Sequence, residues 1–411
     1  MYAMLRARTR GLRAQFLDFV ADLLRIPSYS LQEEQLADRV EAEMRRLRFE
    51  EVFRDETGNV IGINFGRDSG KTLLLNSHMD TVEAGTEKDW HHPPASGRLE
   101  NGYLHGRGAS DCKGGLAAQI YAAALLKGSL LPMKGTTIVA ATVAEENGRS
   151  VGVKGLMDDT LPALGLQPDW VILGEPTGLR LYYGHDGWAE LDIHVQGRDR
   201  SRVRNSAKRI FEEISAEVPD RAAAETLREL EVEAPVFSFE PAPGCALVHV
   251  NRRLRSGEDE KHAIGSLQRS VLRALGGGTD EELSVDVCVS EDPQQLYTGR
   301  VTTVRRLARA WSTDPFSTLM ERSRHALGAA GLEASPGKWR LNHLGMGTAG
   351  GVLTSDYGIP TVGYGPGEET EAHALNEKAS VEKLVEAVYG TAAITQALVG
   401  IPVFGWTVDG I

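Results

Sequence analysis

The stretch Leu73-Leu-Leu-Asn-Ser-His78-Met-Asp80 joins an apolar run to a polar end, and it decides how the chain is organised. Residues 72–75 predict a buried strand of a parallel sheet, because such strands are apolar on both faces. His78 and Asp80 then lie at the carboxyl end of that strand, where open α/β sheets place their functional side chains. The sequence therefore predicts a site at this edge of a sheet.

A glycine-rich stretch follows, Gly106-Arg-Gly-Ala-Ser-Asp111-Cys-Lys-Gly-Gly115. Its glycines leave the backbone around Asp111 uncrowded, which suits a carboxylate presented to a ligand. Other acids and a histidine follow predicted strands or lie in glycine-flanked loops: Glu145, Glu146, Glu175 and His373. Strands alternating with helices predict an α/β catalytic domain with a mostly parallel mixed sheet flanked by helices.

The pattern changes between residues 187 and 296. Alternating apolar and polar residues at 188–195, 247–254 and 283–289 predict half-exposed strands, and helices are predicted at 205–214 and 263–275. This order predicts a smaller α+β domain inserted into the first. The catalytic domain would comprise residues 1–186 and 297–411, and the apolar tail at 401–411 has no assignment.

Composition limits the function classes. A chain of 411 residues suggests two or three domains, and its net charge of -12 disfavours nucleic acid as a partner. Three widely spaced cysteines do not suggest a disulfide framework, so a reducing, cytoplasmic compartment is expected. Neither a secretory signal nor a membrane span is predicted.

The acids and histidines at the strand ends predict a metal site. Two histidines and several carboxylates suit zinc, and a carboxylate can bridge two ions. Two such ions would activate a shared water and polarise a carbonyl, while one acid stays unligated as the base. The alternative is a set of solvated loop acids and two unrelated histidines, but the shared strand-end position favours the metal site.

The motifs resemble those of the dinuclear-zinc amidohydrolases that include acetylornithine deacetylase, succinyl-diaminopimelate desuccinylase, aminoacylase and carboxypeptidase G. The resemblance covers nearly the whole chain. The matching motifs are His78-Met-Asp80-Thr-Val, Gly106-Arg-Gly-Ala-Ser-Asp111-Cys-Lys-Gly-Gly, Glu145-Glu146, Gly174-Glu175-Pro176-Thr177 and Ala372-His373-Ala-Leu-Asn376-Glu377.

The resemblance implies a metal-dependent enzyme that cleaves the amide of a small N-acyl amino acid or a related carboxylated amide. Its cofactors would be two divalent metal ions, zinc first and manganese or cobalt as alternatives. Asp111 would bridge the ions, His78 and Glu175 would complete the shell of one, and Glu146 and His373 that of the other. The inserted domain would act as a lid and form a homodimer.

The same resemblance implies that Glu145 is the general base and that Asp80 fixes the tautomer of His78. Adjacent residues of a strand point to opposite faces. Glu145 and Glu146 can therefore share one site only if the strand has ended before them, and Asn147-Gly148 makes such an end plausible.

The chain departs from the family in the lid, where a histidine usually stabilises the oxyanion. Residues 196–205 contain no histidine. One of Arg200, Arg202 and Arg204 replaces it, or the segment is rebuilt for another substrate or reaction, or hydrolysis has been lost. The arginines are equally well explained as a solvated run at the start of a helix. His194 is a poor substitute because it lies in mid-strand on the polar face.

Weaker candidates concern the substrate. Arg253 matches an arginine that binds a substrate carboxylate, with a strand salt bridge as the alternative role. Thr348, Gly350 and Gly351 match a loop that contacts substrate, with a flexible surface loop as the alternative. Cys112 is expected to be a small buried side chain rather than a reactive thiol.

Two functions therefore remain open. The first is the amidohydrolase, which Glu145 and the five ligands favour because a protein that only binds needs no aligned base. The second is a pseudoenzyme, or a specialised biosynthetic protein of the same fold, that binds metal and ligand without hydrolysing amides. The missing lid histidine favours the second.

Overall fold

A computed structural model describes residues 1–67, 70–147, 150–217, 236–239, 244–255, 257–277, 282–339 and 347–401. The helices are α1 Tyr2–Arg25, α2 Glu34–Arg46, α3 Lys113–Gly128, α4 Val151–Gly155, α5 Leu161–Ala163, α6 Arg200–Glu217, α7 Glu260–Ala274, α8 Thr318–Ala329, α9 Gly350–Ser355 and α10 Val381–Val399. A wide helical turn, Leu156–Thr160, joins α4 to α5, and Glu87–Asp89 forms a short 3₁₀ turn.

The strands are β1 Glu51–Arg54, β2 Val60–Asn64, β3 Thr72–His78, β4 Arg98–Glu100, β5 Tyr103–His105, β6 Thr136–Thr142, β7 Trp170–Leu173, β8 Leu181–Tyr182, β9 Gly184–His185, β10 Gly187–Gly197, β11 Val236–Phe239, β12 Cys245–Leu254, β13 Leu283–Val289, β14 Glu291–Gln295, β15 Val301–Arg305, β16 Leu307–Ala308, β17 Trp311–Ser312, β18 Pro336–Gly337, β19 Thr361–Gly363 and β20 Lys378–Ser380.

Eight strands form the large sheet, in the order β1-β2-β6-β3-β7-β19-β8-β18. Its central strands β6, β3, β7 and β19 run parallel, while β1 and β2 add antiparallel pairs at one side. The predicted mostly parallel mixed sheet flanked by helices is confirmed. Because β3 lies in the middle, the residues that follow it meet those that follow β6 and β7.

Both faces of the large sheet are covered, which explains the uninterrupted apolar run in β3. Leu73 and Leu75 pack into one core with α1, α3 and α10, whereas Leu74 faces a second core on the other side. All seven residues of β3 are buried, including His78. The strand is therefore longer than the predicted 72–75 and carries His78 as its last residue.

The small sheet is antiparallel and lies between β9 and β17 along the chain. Its order is β11-β12-β10-β13, and β16 pairs with the start of β10. Leu191, Ile193 and Val195 of β10 pack under α6 and α7, and the alternate residues face away from this core. The alternation predicted for this region is present, and the domain boundaries at 187 and 296 stay a prediction.

Two short strands join the sheets. The segment that leaves the large sheet contains β9, and the segment that returns contains β17. The two strands pair antiparallel, with Trp311 opposite His185 and Ser312 opposite Gly184. The chain therefore enters and leaves the small sheet at neighbouring positions.

No helix in the described residues is long and apolar enough to cross a membrane. Of the apolar tail, only Ile401 is described, and its N–H donates to the main-chain oxygen of Pro132 at 2.9 Å. The rest of the tail, 402–411, lies outside the described residues.

Candidate metal centre

His78, Asp111 and Glu175 form the first group of the candidate site. His78 ends β3, Asp111 lies two residues before α3, and Glu175 follows β7. His78 Nε2 is 3.1 Å from Asp111 Oδ1 and 3.7 Å from Glu175 Oε2. All three residues are buried, so three donor atoms converge at the carboxyl ends of the central strands.

Glu146, His373 and Asp111 form the second group. His373 Nε2 is 2.8 Å from Glu146 Oε1 and 3.5 Å from Asp111 Oδ2. Asp111 thus presents one oxygen to each group. This is the arrangement that a carboxylate needs in order to bridge two ions.

The residues of the two groups fit two divalent cations. Within each group the donor atoms lie within 4.8 Å of one another. Several carboxylates with almost no solvent exposure gather here beside the imidazoles of His78 and His373, and burying such charges is costly unless cations neutralise them. The carboxylates are those of Asp80, Asp111, Glu145, Glu146 and Glu175.

Cys112 lies next to the first group as a fully buried side chain. Its Sγ accepts a hydrogen bond from the N–H of His78 at 3.2 Å. Burial raises the pKa of the Cys112 thiol above its ordinary value, which keeps it protonated. The small, unreactive side chain expected from the sequence agrees with this environment.

Glu145, Glu175 and His373 have raised pKa values. Burial raises the pKa of Glu145 well above its ordinary value, while His78 opposes the shift and Glu175 adds to it. Burial likewise raises the pKa of Glu175 to about 7. Burial disfavours the charged form of His373, but the hydrogen bond to Glu146 and the negative charges of Glu146, Asp111 and Glu377 together outweigh it and raise the pKa of His373 to about 9.

Asp80 supports the site through its carboxylate, which accepts from three donors. The N–H groups of Glu145 and Glu146 donate to Oδ1 and Oδ2 at 3.0 and 2.9 Å, and the Ser30 hydroxyl donates to Oδ2 at 2.6 Å. His78 Nδ1 is 2.8 Å from the main-chain oxygen of Asp80 and 3.5 Å from Oδ1. The His78 ring is thus closest to the main-chain carbonyl of Asp80. The side-chain carboxylate of Asp80 instead holds the loop that contains Glu145 and Glu146.

Glu145 and Glu146 both line the cavity at the donor groups. Strand β6 ends at Thr142, and Ala144 has a φ of 49°, in the left-handed region. The alternation of a strand has therefore stopped before Glu145. This break allows two consecutive side chains to reach the same cavity.

Glu377 holds the loop that presents Asp111, a role that was not predicted for this motif residue. It is fully buried, and its Oε1 accepts from the N–H groups of Ser110 and Asp111 at 2.8 and 3.0 Å. Its Oε2 accepts from the N–H of Gly108 at 3.0 Å and from Arg107 Nη1 at 2.8 Å. Four bonds from one carboxylate fix the position of Asp111.

A family comparison agrees with this geometry. The model of peptidase family M20/M25/M40 matches residues 74–397, more than three quarters of the chain. The chain belongs to this family. It is therefore a metal-dependent amidohydrolase of the M20 type, and the family together with the two donor groups supports two divalent metal ions.

Curated relatives cover much of the chain. The uncharacterized protein YgeY of Escherichia coli K12 is 28% identical over 408 residues, 96% of each chain. A Bacillus subtilis N-formyl-4-amino-5-aminomethyl-2-methylpyrimidine deformylase is 26% identical over 351 residues, 80% of each chain. A probable succinyl-diaminopimelate desuccinylase of Staphylococcus aureus is 35% identical over 130 residues, 31% of this chain and 30% of its own.

Solved structures share the fold. The Saccharomyces cerevisiae dipeptidase Dug1p matches with a TM-score of 0.68 at 15% identity, covering 97% of this chain and 98% of its own. Human carnosine dipeptidase 1 matches with a TM-score of 0.67 at 14% identity, and the match covers 97% of this chain and 99% of the dipeptidase. At these identities the likeness shows the M20 fold alone.

The lid arginines lie on α6, which begins at Arg200 and not at the predicted residue 205. Arg200, Arg202 and Arg204 are all exposed. Arg202 Nη1 is 2.5 Å from Glu282 Oε2. Among the described residues that line the cavity at the donor groups, none is an arginine. The structure thus does not bring these arginines to the M20 site of the same chain.

Arg253 lies on β12 opposite Trp188, and its guanidinium forms an ion pair with the Asp186 carboxylate. This is the salt-bridge role that the sequence left as the alternative. Like Arg200, Arg202 and Arg204, Arg253 is not one of the described residues that line the cavity. Contact between Arg253 and a substrate carboxylate stays a prediction.

The loop after Trp339 lines the cavity through Gly347 and Thr348. Gly350 begins α9, and a Cβ there would lie 2.2 Å from Trp311 Cζ2, so close packing requires this glycine. Gly351 is buried beside the main chain of Arg309, where a Cβ would lie 2.7 Å from its oxygen. The start of this glycine-rich segment, 345–346, lies outside the described residues.

Trp339 and Pro176 also line the cavity, and the sequence did not single them out as site residues. The Trp339 indole N–H donates to the main-chain oxygen of Pro176 at 2.9 Å, beside the ligand Glu175. Trp339 is 5% exposed and packs against Tyr182. Such a residue is difficult to identify from sequence, because a buried tryptophan is ordinary in a core.

Proposed function

We propose that this enzyme hydrolyses the amide bond of a small N-acyl amino acid or a related carboxylated amide. The observation that carries the proposal is Glu145, a buried glutamate that lines the cavity beside both donor groups and belongs to neither. A protein that only bound metal would not need a further acid there. Glu145 is the residue that we assign as the general base.

The ions would be held by His78, Asp111 and Glu175 on one side and by Asp111, Glu146 and His373 on the other. We propose zinc, with manganese and cobalt as alternatives, because imidazole and carboxylate donors suit all three. When bound, such ions polarise the amide carbonyl and acidify water.

Glu145 would move the proton. Its carboxylate takes a proton from the attacking water as the water oxygen bonds to the amide carbon. The carbon–nitrogen bond then breaks, and Glu145 gives the proton to the leaving nitrogen. A raised pKa makes the Glu145 carboxylate a stronger base for the first step, and the protonated carboxyl is then the acid of the second. The Ser150 hydroxyl, 3.4 Å from Glu145 Oε1, and the loop bonds to Asp80 hold Glu145 in place.

A polar residue that lines the cavity would orient the substrate. Thr348 lines it, and we keep its hydroxyl as the contact for a carboxylate or carbonyl oxygen of the substrate. The Bacillus relative is named as a deformylase of an N-formyl compound, and the Staphylococcus relative as a probable desuccinylase. They support an acylated amine as the substrate class.

The competing function is metal and ligand binding without hydrolysis. It is favoured by the absence of a histidine from residues 196–205, because loss of one oxyanion donor costs about 100-fold to 1000-fold in rate. Family membership and the unligated Glu145 favour hydrolysis.

The deciding experiment measures metal content and amine release on the same samples. Wild type is expected to bind about two ions per chain and to release amine from at least one member of a panel of N-acyl amino acids. Glu145→Gln should keep both ions and lose at least about 100-fold in kcat. Glu56→Gln, at an exposed glutamate, is the matched control. Two bound ions without amine release from any panel member would favour the binding function.

A further inference from the structure

His185 lies outside the metal ligands, in β9, where the chain leaves the large sheet. Its ring is 2% exposed and stands between two tryptophans, with ring centroids 5.6 Å from Trp311 and 6.1 Å from Trp339. Neither the sequence motifs nor the proposed chemistry gives this buried imidazole a role.

Hydrogen bonds determine the tautomer of His185. Nδ1 is 2.7 Å from the main-chain oxygen of Asp186, and a carbonyl oxygen only accepts, so Nδ1 carries the proton. Nε2 is 2.9 Å from the main-chain nitrogen of Thr348, whose N–H only donates, so Nε2 is the acceptor. Burial lowers the pKa of His185 to about 4, which keeps the ring neutral at pH 7.

The same Nε2 also lies 3.0 Å from the Thr348 hydroxyl oxygen. A neutral imidazole nitrogen has one lone pair, and the fixed N–H of Thr348 already points at it. The hydroxyl can rotate, so its proton is available to an oxygen in the cavity that Thr348 lines. His185 thereby anchors the backbone of Thr348 and leaves its hydroxyl available to a ligand.

Close packing on both sides of Thr348 restricts the positions that its backbone can adopt. A Cβ at Gly347 would lie 2.9 Å from the Cβ of Ala308, and Gly350 is packed on Trp311. Gly347 and Gly350 are thus in close contact with their neighbours, and the hydrogen bond from the Thr348 N–H to His185 determines the orientation of Thr348 between them.

We propose that His185 is a positioning residue that holds Thr348 in the orientation required to bind an anionic or carbonyl oxygen of the substrate. The inference rests on the proposed function, in which Thr348 contacts the substrate. A purely structural role, in which the ring only fills the space between the tryptophans, is the competing explanation.

Three variants separate these explanations. His185→Phe keeps an aromatic ring but has no acceptor. His185→Gln places an amide oxygen near the position of Nε2 and restores the acceptor. His185→Asn reaches only the position of Nδ1, so it is a second variant without the acceptor if the phenylalanine protein does not fold.

Steady-state kinetics on the metal-loaded enzyme provide the first test. His185→Phe and His185→Asn are expected to raise KM about 10-fold with kcat within about 3-fold of wild type, because binding is lost more than chemistry. His185→Gln should keep both KM and kcat within about 3-fold of the wild-type values. In a Thr348→Ala background, His185→Phe should change KM less than about 2-fold, because the two residues act together. Additive effects, or equal effects of Phe and Gln, would overturn the inference.

Amide hydrogen exchange at Thr348 provides a readout that does not need turnover. Removing the acceptor should speed exchange of this amide about 10-fold or more, and His185→Gln should restore the protection. If wild type hydrolyses no amide but exchange responds in this way, the proposed function fails while the anchoring by His185 stands. If the enzyme is active and neither exchange nor KM responds, the inference alone is wrong.

Discussion

At the scale of single residues, the site depends on a carboxylate that belongs to neither donor group. Glu377 accepts four hydrogen bonds from the loop of Asp111, three of them from main-chain N–H groups. In Glu377→Gln, an NH₂ group would face donors in place of an acceptor, and buried donors would lose their partner. We expect metal affinity to fall about 10-fold to 100-fold, as for other residues that orient a ligand.

Competition with a chromophoric chelator measures this loss. Glu382→Gln, at an exposed glutamate of α10, is the control and should bind metal as wild type does. Equal affinity of Glu377→Gln and wild type would show that the Asp111 loop keeps its position without this carboxylate.

Strand-end reasoning predicted which residues would meet, and the structure brings His78, Asp111, Glu175, Glu146 and His373 together. Parallel neighbours in one sheet place their carboxyl ends side by side, so an apolar run followed by a polar residue carries this information. The roles of these residues stay predictions.

The supporting residues could not be predicted in the same way. Glu377 belongs to the motif around His373, but its hydrogen-bond partners are distant in the chain and cannot be identified from the sequence. His185 acts on a residue 163 positions away in the chain. Such pairs depend on how loops pack, which local patterns do not encode.

At the scale of elements, a buried glutamate joins α2 to α3. The Tyr121 hydroxyl donates to Glu43 Oε1 at 2.7 Å, Arg39 Nη1 lies 2.9 Å from Oε2, and Arg46 pairs with both oxygens. Burial alone would raise the pKa of Glu43, but the hydrogen bonds from Arg46, Tyr121 and Arg39 outweigh it and lower the pKa. The charged carboxylate therefore stabilises the contact between the two helices.

Glu43→Gln should cost about 1 to 3 kcal/mol of unfolding free energy at pH 7. A lowered pKa gives stability that is present above the ordinary glutamate pKa of 4.5 and is lost as pH falls through the folded-state pKa. The difference between wild type and variant should therefore narrow below about pH 4.

Urea unfolding of both proteins at several pH values measures the difference. Glu34→Gln, at an exposed glutamate of the same helix, should stay within about 0.5 kcal/mol of wild type. A difference between wild type and Glu43→Gln that does not depend on pH would contradict a role for the Glu43 charge.

Element bounds were predictable where apolar periodicity was strong and not elsewhere. Helix α1 begins at Tyr2, and its first turns give a weak apolar signal because Leu5 and Thr9 are buried in a segment that otherwise carries arginines. The start of α6 was predicted too late, at residue 205, for a similar reason: its first turn, from Arg200, is polar and precedes the apolar residues. The two-residue strands β8, β9, β16, β17 and β18 gave no periodic signal at all.

At the scale of the whole molecule, bound metal should contribute to stability. A ligand that binds only the folded state stabilises it by about 2.7 kcal/mol at a concentration 100 times its Kd. Two ions would also relieve the repulsion among the buried carboxylates of the centre. Removal of metal with a chelator is therefore expected to lower Tm by several degrees, and zinc should restore it.

Differential scanning fluorimetry before and after chelation checks this prediction. Calcium, which prefers oxygen ligands and a higher coordination number, is the control ion and should restore Tm less than zinc does. An unchanged Tm after complete metal removal would argue against metal in the buried centre. The homodimer implied by the family resemblance stays a prediction.

The pairing of β9 with β17 has a practical consequence for protein engineering. Antiparallel partners have Cα atoms about 4.5 to 5.5 Å apart, so the two ends of the small-sheet segment lie next to each other. A short hairpin turn is therefore long enough to connect the two strands in a shortened chain. Such a deletion also removes Leu296 and Val304, which are buried in the core of the large sheet, so a replacement module has to supply apolar side chains in their place.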